Sequence, residues 1–146
     1  EENAFWLHTF AEYMAIKESF GLKSWTEWDD EHIRLRRPEA LEDYRQRLAD
    51  QMDYHRLTQY LFFQQWQQLK NYANENGIEI VGDMPIYIAA DSADMWANPH
   101  FFKTDEQGRP AVVAGCPPDD FSAIGQLWGN PIYDWDAMKA DGFTCG

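Results

Sequence analysis

The sequence predicts an α/β fold in which a mainly helical portion, residues 1–76, leads into a buried β-strand. The stretch Ile78–Ile88 is rich in β-branched residues and lies between Gly77 and the polar turn at residues 91–94. A short apolar run with these boundaries is typical of a strand that is buried on both faces. Asn76 and Gly77 end the preceding helix, because these two residue types commonly close helices. A helix, a tight turn and a buried strand are therefore expected in that order.

The first helix is predicted from apolar residues at helical spacing. They lie at positions i, i+3, i+4 and i+7, and they are Leu7, Phe10, Ala11 and Met14. This pattern is typical of an amphipathic helix, which we expect to end near Gly21. Residues 21–37 are predicted to be turn and loop, with Trp25 and Trp28 as the side chains that anchor it.

The second helix is predicted to begin at Pro38, because proline suits a first helical position and Glu39 then lies favourably in the helix dipole. Its apolar stripe, with a break expected near Asp53, consists of Leu41, Tyr44, Leu48, Met52, Phe62, Trp66, Leu69 and Ala73. Two interpretations are open for the aromatic residues of this helix, the lining of a cofactor site or core packing. The residues concerned are His55, Tyr60, Phe62 and Trp66. Plain helical periodicity favours core packing. The glutamines at 64, 65, 67 and 68 are expected to form a solvated face of this helix.

Asp83 is the first candidate site residue, because it lies where the predicted strand ends. Pro85 prevents ladder pairing just beyond it. In α/β folds, ligands bind at the carboxyl ends of the strands. The alternative is that Asp83 only accepts hydrogen bonds from nearby backbone N–H groups.

Short elements are predicted after the strand. Asp91 or Ser92 can cap a short helix that has Asp94 in its first turn. Residues 101–104 and 109–113 flank a turn at residues 105–108, which predicts a hairpin with Gly108 at positive φ.

The part that follows is less regular. Residues 115–130 have no periodicity and predict a long irregular loop, which in a compact fold is usually functional or mobile. A further helix is predicted to start over residues 134–139. The sequence has no internal repeat and no low-complexity linker.

Composition narrows the range of partners. The 146 residues carry a formal net charge of -13, which disfavours nucleic acid and anionic membrane surfaces. The sequence shows no apolar run long enough to span a membrane and no signal-peptide pattern at Glu1, so we expect a cytoplasmic protein. Cys116 and Cys145 have no metal or redox spacing and are expected as reduced thiols, although one disulfide between them stays open. The four histidines show no ligand spacing, so no metal site is expected.

Five motifs occur in order between residues 82 and 135. Written out, they are GDMPIYI at 82–88, DSADMWANP at 91–99, DEQGRP at 105–110, GCPPDDF at 115–121 and GQLWGNPIYDW at 125–135. Together they closely resemble the 4-alpha-glucanotransferases of glycoside hydrolase family 77, also called amylomaltases or disproportionating enzymes. The helical stretch at residues 5–76 also resembles this family, though less distinctively.

The resemblance implies a fold and an activity. The fold is a (β/α)8 TIM barrel with a helical N-terminal portion, of which 146 residues can form only a part, because a closed barrel needs at least about 200 residues. Residues 77–146 are expected to supply a barrel strand, a hairpin and a substrate-covering loop of one incomplete catalytic domain. The implied activity transfers α-1,4-glucan segments between maltodextrins by a retaining double displacement, and glucose is an expected acceptor. The resemblance implies no cofactor, and it implies that the maltodextrins come from starch or glycogen metabolism.

The resemblance also places the catalytic nucleophile and acid/base on strands downstream of this chain, so no catalytic residue is expected here. We therefore expect the chain alone to be inactive. The alternatives are a non-catalytic α-glucan-binding or structural fragment that lacks the catalytic acids, and an unrelated helical interaction domain. The ending at residues 142–146 departs from the family and suggests a truncated sequence.

The residues expected to bind substrate are Asp83, Tyr87, Asp119, Phe121, Gln126, Trp128 and Asn130. Sugars have apolar faces and hydroxyl edges, so aromatic rings beside amide and carboxylate groups suit them. In the family the loop matching residues 115–130 covers the cleft, and excluding water favours transfer over hydrolysis. For the aromatic side chains the alternative is burial in the core beneath a proline-stiffened loop. Asp120 and Cys116 depart from the residues that the family usually carries.

Overall fold

The computed structural model of the protein describes residues 4–143 and combines six α-helices with one pair of β-strands in that range. The helices are α1 (Ala4–Ser19), α2 (Glu31–Arg34), α3 (Pro38–Arg47), α4 (Ala49–Glu75), α5 (Ala93–Ala97) and α6 (Trp135–Ala140), and the strands are β1 (Val113–Cys116) and β2 (Gln126–Pro131). Two 3-10 turns lie at Trp25–Glu27 and Pro99–Phe101. Three expectations concern residues outside this range. They are the state of Cys145, the absence of a signal peptide at Glu1 and the departure from the family after residue 143.

The core is built mainly from aromatic side chains of the helical portion and of residues 95–102. Trp25 and Trp28 are fully buried, which confirms them as the anchors of the loop after α1. The ring of Trp28 stacks on Phe20 at 5.3 Å between centroids and meets the edge of Trp96 at 5.6 Å. Trp96 lies on α5, so the core joins the N-terminal helices to the chain that follows residue 90.

The helix boundaries largely follow the local signals in the sequence. α1 ends at Ser19, just before Gly21 at φ 67°, and α3 begins at Pro38 as predicted. Ser92 caps α5 by accepting a hydrogen bond from the Met95 N–H at 3.2 Å. Helix α6 begins one residue after Asp134, which caps it.

The helix break was predicted at the wrong residue. It lies at Leu48, where φ is -112° and ψ is 22°, and not near Asp53. Turning the chain there lets the Leu48 side chain pack against both buried clusters, the aromatic core and the small cluster of Ala11, Ala15 and Met52. Asp53 instead lies inside α4 and accepts a hydrogen bond from Arg56 at 2.6 Å.

The expectation of core packing along α4 is only partly correct. His55 and Ala73 are buried, but Tyr60, Phe62, Trp66 and Leu69 are exposed. The reason is length: at about 1.5 Å per residue the 27 residues of α4 are far longer than the 16 of α1, which packs against it. The glutamine face at positions 64, 65, 67 and 68 is solvent-exposed as predicted.

The predicted buried strand at Ile78–Ile88 is absent from the structure. Residues 78–90 form neither helix nor strand, and Ile78, Val81, Met84 and Ile86 are exposed, Val81 to 90%. A strand buried on both faces needs neighbouring strands for its hydrogen bonds and side chains. Among residues 4–143 the only strand pair is β1 with β2, which lies elsewhere.

The predicted irregular loop at residues 115–130 is confirmed only for residues 117–125. Its two ends belong to an antiparallel hairpin, in which Gly115 pairs with Leu127 and Cys116 pairs with Gln126, and residues 117–125 form the tip. Two glycines allow the backbones of the two strands to come this close together. A Cβ at Gly115 would lie 2.5 Å from the Gln126 carbonyl oxygen. At Gly125, where φ is 74°, a Cβ would lie 2.6 Å from the Cys116 carbonyl oxygen.

The turn at residues 105–108 is confirmed. The Gly108 N–H donates to the Asp105 carbonyl at 3.0 Å, and Gly108 has a φ of 77°. The Ala111 N–H donates to the Lys103 carbonyl at 2.8 Å, so the two flanking arms pair. In the described part of the chain, no helix is both long and apolar enough to cross a membrane.

Candidate functional site

An aromatic cluster joins the β1–β2 hairpin, which carries several of the predicted site residues, to the segment at residues 78–90. The ring of Tyr87 lies 6.3 Å from that of Trp128 and stacks on that of Tyr133 at 6.3 Å with an interplanar angle of 18°. Trp128 comes from β2, and Tyr133 lies two residues after the end of that strand. The cluster therefore joins the segment at residues 78–90 to the hairpin and brings two predicted residues, Tyr87 and Trp128, together.

Two amides extend this cluster. The Trp128 indole N–H donates to the side-chain oxygen of Gln126 at 3.0 Å, which fixes both side chains on one face of β2. The Asn130 amide donates to the Ile88 carbonyl at 2.8 Å, across 42 residues of sequence. Asn130 thus ties the hairpin to the segment that carries Tyr87. We call Tyr87, Gln126, Trp128 and Asn130 the hairpin face.

Backbone hydrogen bonds connect the chain just after β2 to residues 101–103. The Lys103 N–H donates to the Ile132 carbonyl at 2.9 Å, and the Asp134 N–H donates to the Phe101 carbonyl at 2.8 Å. Because Phe101 is part of the buried core, these bonds connect the hairpin face to that core.

The tip of the hairpin holds the other two predicted loop residues. Asp119 accepts hydrogen bonds from the N–H groups of Phe121 at 2.9 Å and Ser122 at 2.8 Å, so its carboxylate shapes the turn. The Ser122 hydroxyl donates to the Gly125 carbonyl at 2.7 Å. Phe121 is 94% exposed at this tip, which contradicts the alternative that it is tucked into the core. Trp128, at 50% exposed, is also not a core residue.

Asp83 does not join the hairpin face. It is exposed, and the contact described for its carboxylate is with the N–H of the next residue, Met84, at 2.9 Å. This is the local backbone contact that the alternative interpretation of Asp83 predicts. Asp83 precedes Tyr87 by four residues on the same irregular segment.

A polar cluster that the sequence analysis did not identify holds the end of this segment. Asp91 accepts hydrogen bonds from the Tyr13 hydroxyl at 2.6 Å and the Trp25 N–H at 3.2 Å, and it forms an ion pair with Lys17. The Trp25 indole N–H donates to the Ala90 carbonyl at 2.8 Å. The segment that carries Asp83 and Tyr87 is therefore anchored to α1 at its far end. The predicted capping role of Asp91 gave no signal of these distant partners.

The Asp91 cluster also shifts two proton equilibria. Burial alone raises the pKa of Asp91, but the hydrogen bonds from Lys17, Tyr13 and the Trp25 N–H together outweigh it, so the pKa lies below its ordinary value. Burial, followed by the hydrogen bond to Asp91 and its charge, raises the pKa of Tyr13 far above the ordinary value. Tyr13 therefore stays a neutral donor and Asp91 a charged acceptor.

Groups suited to bind a metal do not cluster in the described range. Between residues 4 and 143, no three His, Cys, Asp or Glu side chains are grouped so that they could hold a metal ion. Chemically, the hairpin face offers aromatic ring surfaces next to an amide and an exposed tip, an arrangement suited to a ligand with both apolar faces and hydroxyl groups.

Comparison with known proteins gives one consistent result. A family profile described as 4-alpha-glucanotransferase matches residues 1–145. A 4-alpha-glucanotransferase of Streptococcus pneumoniae is 65% identical over 143 residues, which are 98% of this chain and 28% of the relative. One from Synechocystis is 53% identical over 140 residues, covering 95% of this chain and 28% of the relative.

A solved structure agrees with these relatives. The amylomaltase from Streptococcus agalactiae in complex with acarbose superposes with a TM-score of 0.93 at 53% identity, covering 98% of this chain and 29% of that protein. This chain spans only 28–29% of the length of these three proteins. The profile match over residues 1–145 shows that the chain belongs to the 4-alpha-glucanotransferase family, glycoside hydrolase family 77.

Proposed function

We propose that this chain is part of a 4-alpha-glucanotransferase that transfers α-1,4-glucan segments between maltodextrins by a retaining double displacement. The observation that supports this most is the hairpin face, in which Trp128, Gln126 and Tyr87 lie together beside a tip with an exposed Phe121. Maltodextrins from starch or glycogen, with glucose as an acceptor, are the proposed substrates. A cytoplasmic location, and action without a metal or organic cofactor, are parts of the same proposal.

The hairpin face suits a glucan in chemical terms. An aromatic ring packs against the C–H face of a sugar ring, and Trp128 is half exposed for such a contact. The Trp128 indole N–H occupies the side-chain oxygen of Gln126, which leaves the NH2 group as the donor to a sugar hydroxyl. Phe121 at the tip is the proposed cover of the cleft, and Asp119, through its two backbone hydrogen bonds, holds the tip in shape.

The covering role has a mechanistic reason. In a retaining double displacement a glycosyl-enzyme intermediate reacts either with water or with another sugar. A cover over the cleft excludes water and so favours transfer. We propose that Asp83 supports a sugar subsite and that the two catalytic carboxylates are supplied by other parts of the enzyme.

The proposed architecture is a partial barrel. The exposed apolar side chains of residues 78–86 and of the second half of α4 are those that neighbouring barrel elements would cover. We propose that residues 78–88 form a barrel strand when such neighbours are present. The helical portion and residues 77–146 then belong to one catalytic domain.

A chimera tests this proposal. In it, this chain replaces the matching 143 residues of the Streptococcus pneumoniae 4-alpha-glucanotransferase. Incubation with maltotriose is expected to give glucose and longer maltodextrins, whereas the chain alone is expected to give neither. Trp128→Ala in the chimera should lower kcat/KM for transfer by at least about tenfold, which corresponds to about 1.4 kcal/mol.

Two outcomes distinguish the proposal from its alternatives. Trp128→Phe keeps the ring but loses the donor to Gln126, and it should recover part of the lost transfer. A chimera that folds and binds maltoheptaose without any transfer would show that this segment supports glucan binding only. Full activity of the Trp128→Ala chimera would contradict the proposed role of the hairpin face.

A further inference from the structure

A cavity of about 370 Å³ lies between α1, α3 and the first turns of α4, and no hairpin residue lines it. Its charged and titratable lining consists of His8, Glu12, Arg36, Arg45, Asp53 and Arg56. We call it the arginine pocket. Its volume is at the lower end of the range of small-molecule sites, about 300–1,000 Å³.

The arginine pocket has more positive than negative charge. Both oxygens of Glu12 are occupied, one by the Arg45 Nε at 2.6 Å and the other by an Arg36 nitrogen at 3.4 Å. The Asp53 carboxylate accepts from Arg56 at 2.6 Å. Three guanidinium groups therefore face two carboxylates, which leaves one uncompensated positive charge on a chain whose net charge is -13.

The guanidinium groups retain unused hydrogen-bonding capacity. The Nε of Arg56 is buried and has no hydrogen-bond partner among the described residues. Arg45 uses its Nε for Glu12, and its side chain remains 49% exposed. A guanidinium has five N–H donors in a fixed planar arrangement, which matches the oxygens of a phosphate group.

Arg36 supports the same conclusion. Burial lowers the pKa of Arg36, the charge of Glu12 raises it, and the charge of Arg45 lowers it again, with a net result below the ordinary value. The cation is thus held in surroundings where one carboxylate serves two arginines. A second anion in the pocket would stabilise it.

We propose that the arginine pocket binds a small phosphate-class oxyanion, either free phosphate or the phosphate group of a phosphorylated sugar. The pocket is separate from the hairpin face and connects three helices, so an occupant would stabilise their packing. The proposal does not depend on the glucanotransferase activity.

The test is a titration of the protein, alone and within the chimera, at constant ionic strength. The probes are inorganic phosphate, glucose 1-phosphate, and glucose as the uncharged comparison, followed by isothermal calorimetry and ³¹P NMR line broadening. Saturable binding of a phosphate probe but not of glucose is expected. Tighter binding of glucose 1-phosphate would identify a sugar phosphate as the ligand, and equal affinities would identify the free ion.

Matched variants locate the binding. Arg45→Gln and Arg56→Gln should each weaken it by about tenfold or more, because each removes a charged hydrogen-bond donor. Arg47→Gln makes the same change of net charge on α3, but Arg47 pairs with Asp43 outside the pocket and should leave the affinity unchanged. Equal titrations for all three variants, or no saturable binding of either phosphate probe, would overturn the proposal.

Discussion

Replacing Glu12 with glutamine tests whether the ion pairs of α1 hold the helical portion together. The Glu12 side chain is 6% exposed, and its two oxygens pair with Arg45 at 2.6 Å and with Arg36 at 3.4 Å. Glutamine keeps the shape but removes the charge, and it places an NH2 donor against a guanidinium donor. The two arginines would then face each other across a neutral group.

The magnitude follows from the exposure of the partners. Removing one member of a fully buried ion pair costs about 3–5 kcal/mol. The side chains of Arg36 and Arg45 are 24% and 49% exposed, so water can partly rehydrate them. We therefore expect Glu12→Gln to lower the free energy of unfolding by about 2–3 kcal/mol. For a chain of this size, each kcal/mol of lost stability lowers the thermal midpoint by about 4 °C. The midpoint of Glu12→Gln should therefore fall by about 8–12 °C.

Thermal unfolding by circular dichroism, with urea unfolding as a second measurement, gives the answer. Glu42→Gln is the matched control, because Glu42 lies on the exposed face of α3 and accepts a hydrogen bond from the Gln46 side chain at 2.9 Å. It should change the stability by no more than about 0.5 kcal/mol. The double variant Glu12→Gln with Arg45→Gln should lose less stability than the two single variants summed. A Glu12→Gln midpoint equal to that of the control would refute the reasoning.

Three further predictions concern the hairpin and its anchor. Asn130→Ala removes the amide bond to the neighbouring segment, so it should lower stability by about 1–3 kcal/mol in urea and reduce the ratio of transfer to hydrolysis in the chimera. Gly125→Ala should cost at least about 1 kcal/mol more than Gly129→Ala, because both have positive φ but only Gly125 has a backbone oxygen 2.6 Å from the added Cβ. Equal urea midpoints for the two variants would exclude that contact. Because the folded-state pKa of Asp91 is lowered, its stabilisation is full above the unfolded pKa of about 4 and is lost as pH falls through the folded value. Asp91→Asn should therefore be less stable than the wild type at pH 7, with the difference shrinking below about pH 4.

Features set by neighbouring residues could be predicted from the sequence. Pro38 at a helix start, Ser92 as a cap and Gly108 in a turn each depend on the backbone within a few residues. The buried Trp25 and Trp28 could be predicted for a related reason, since large aromatic residues in a loop need a core to cover them.

The candidate site could be predicted only as a set of residue types. Phe121, Gln126 and Trp128 were identified because aromatic and amide groups occur close together in one stretch. That Asn130 bonds to Ile88 and that Asp91 bonds to Tyr13 depends on pairs separated by 42 and 78 residues. No local pattern encodes such pairs, and the role of each polar residue follows from its partner.

The two wrong predictions of burial have one cause and lie next to each other. The stripe of Phe62, Trp66 and Leu69 on α4 and the run at residues 78–86 are joined through the turn at Gly77, and both are exposed. Periodicity shows that a face is apolar, but it does not show what covers that face. A stable monomer rarely leaves so large an apolar surface open. Because relatives are more than three times longer at 53–65% identity, we infer that the sequence of this region is shaped by neighbours outside residues 4–143. The exposed stripe and the exposed run together form the surface on which we propose that further barrel elements pack.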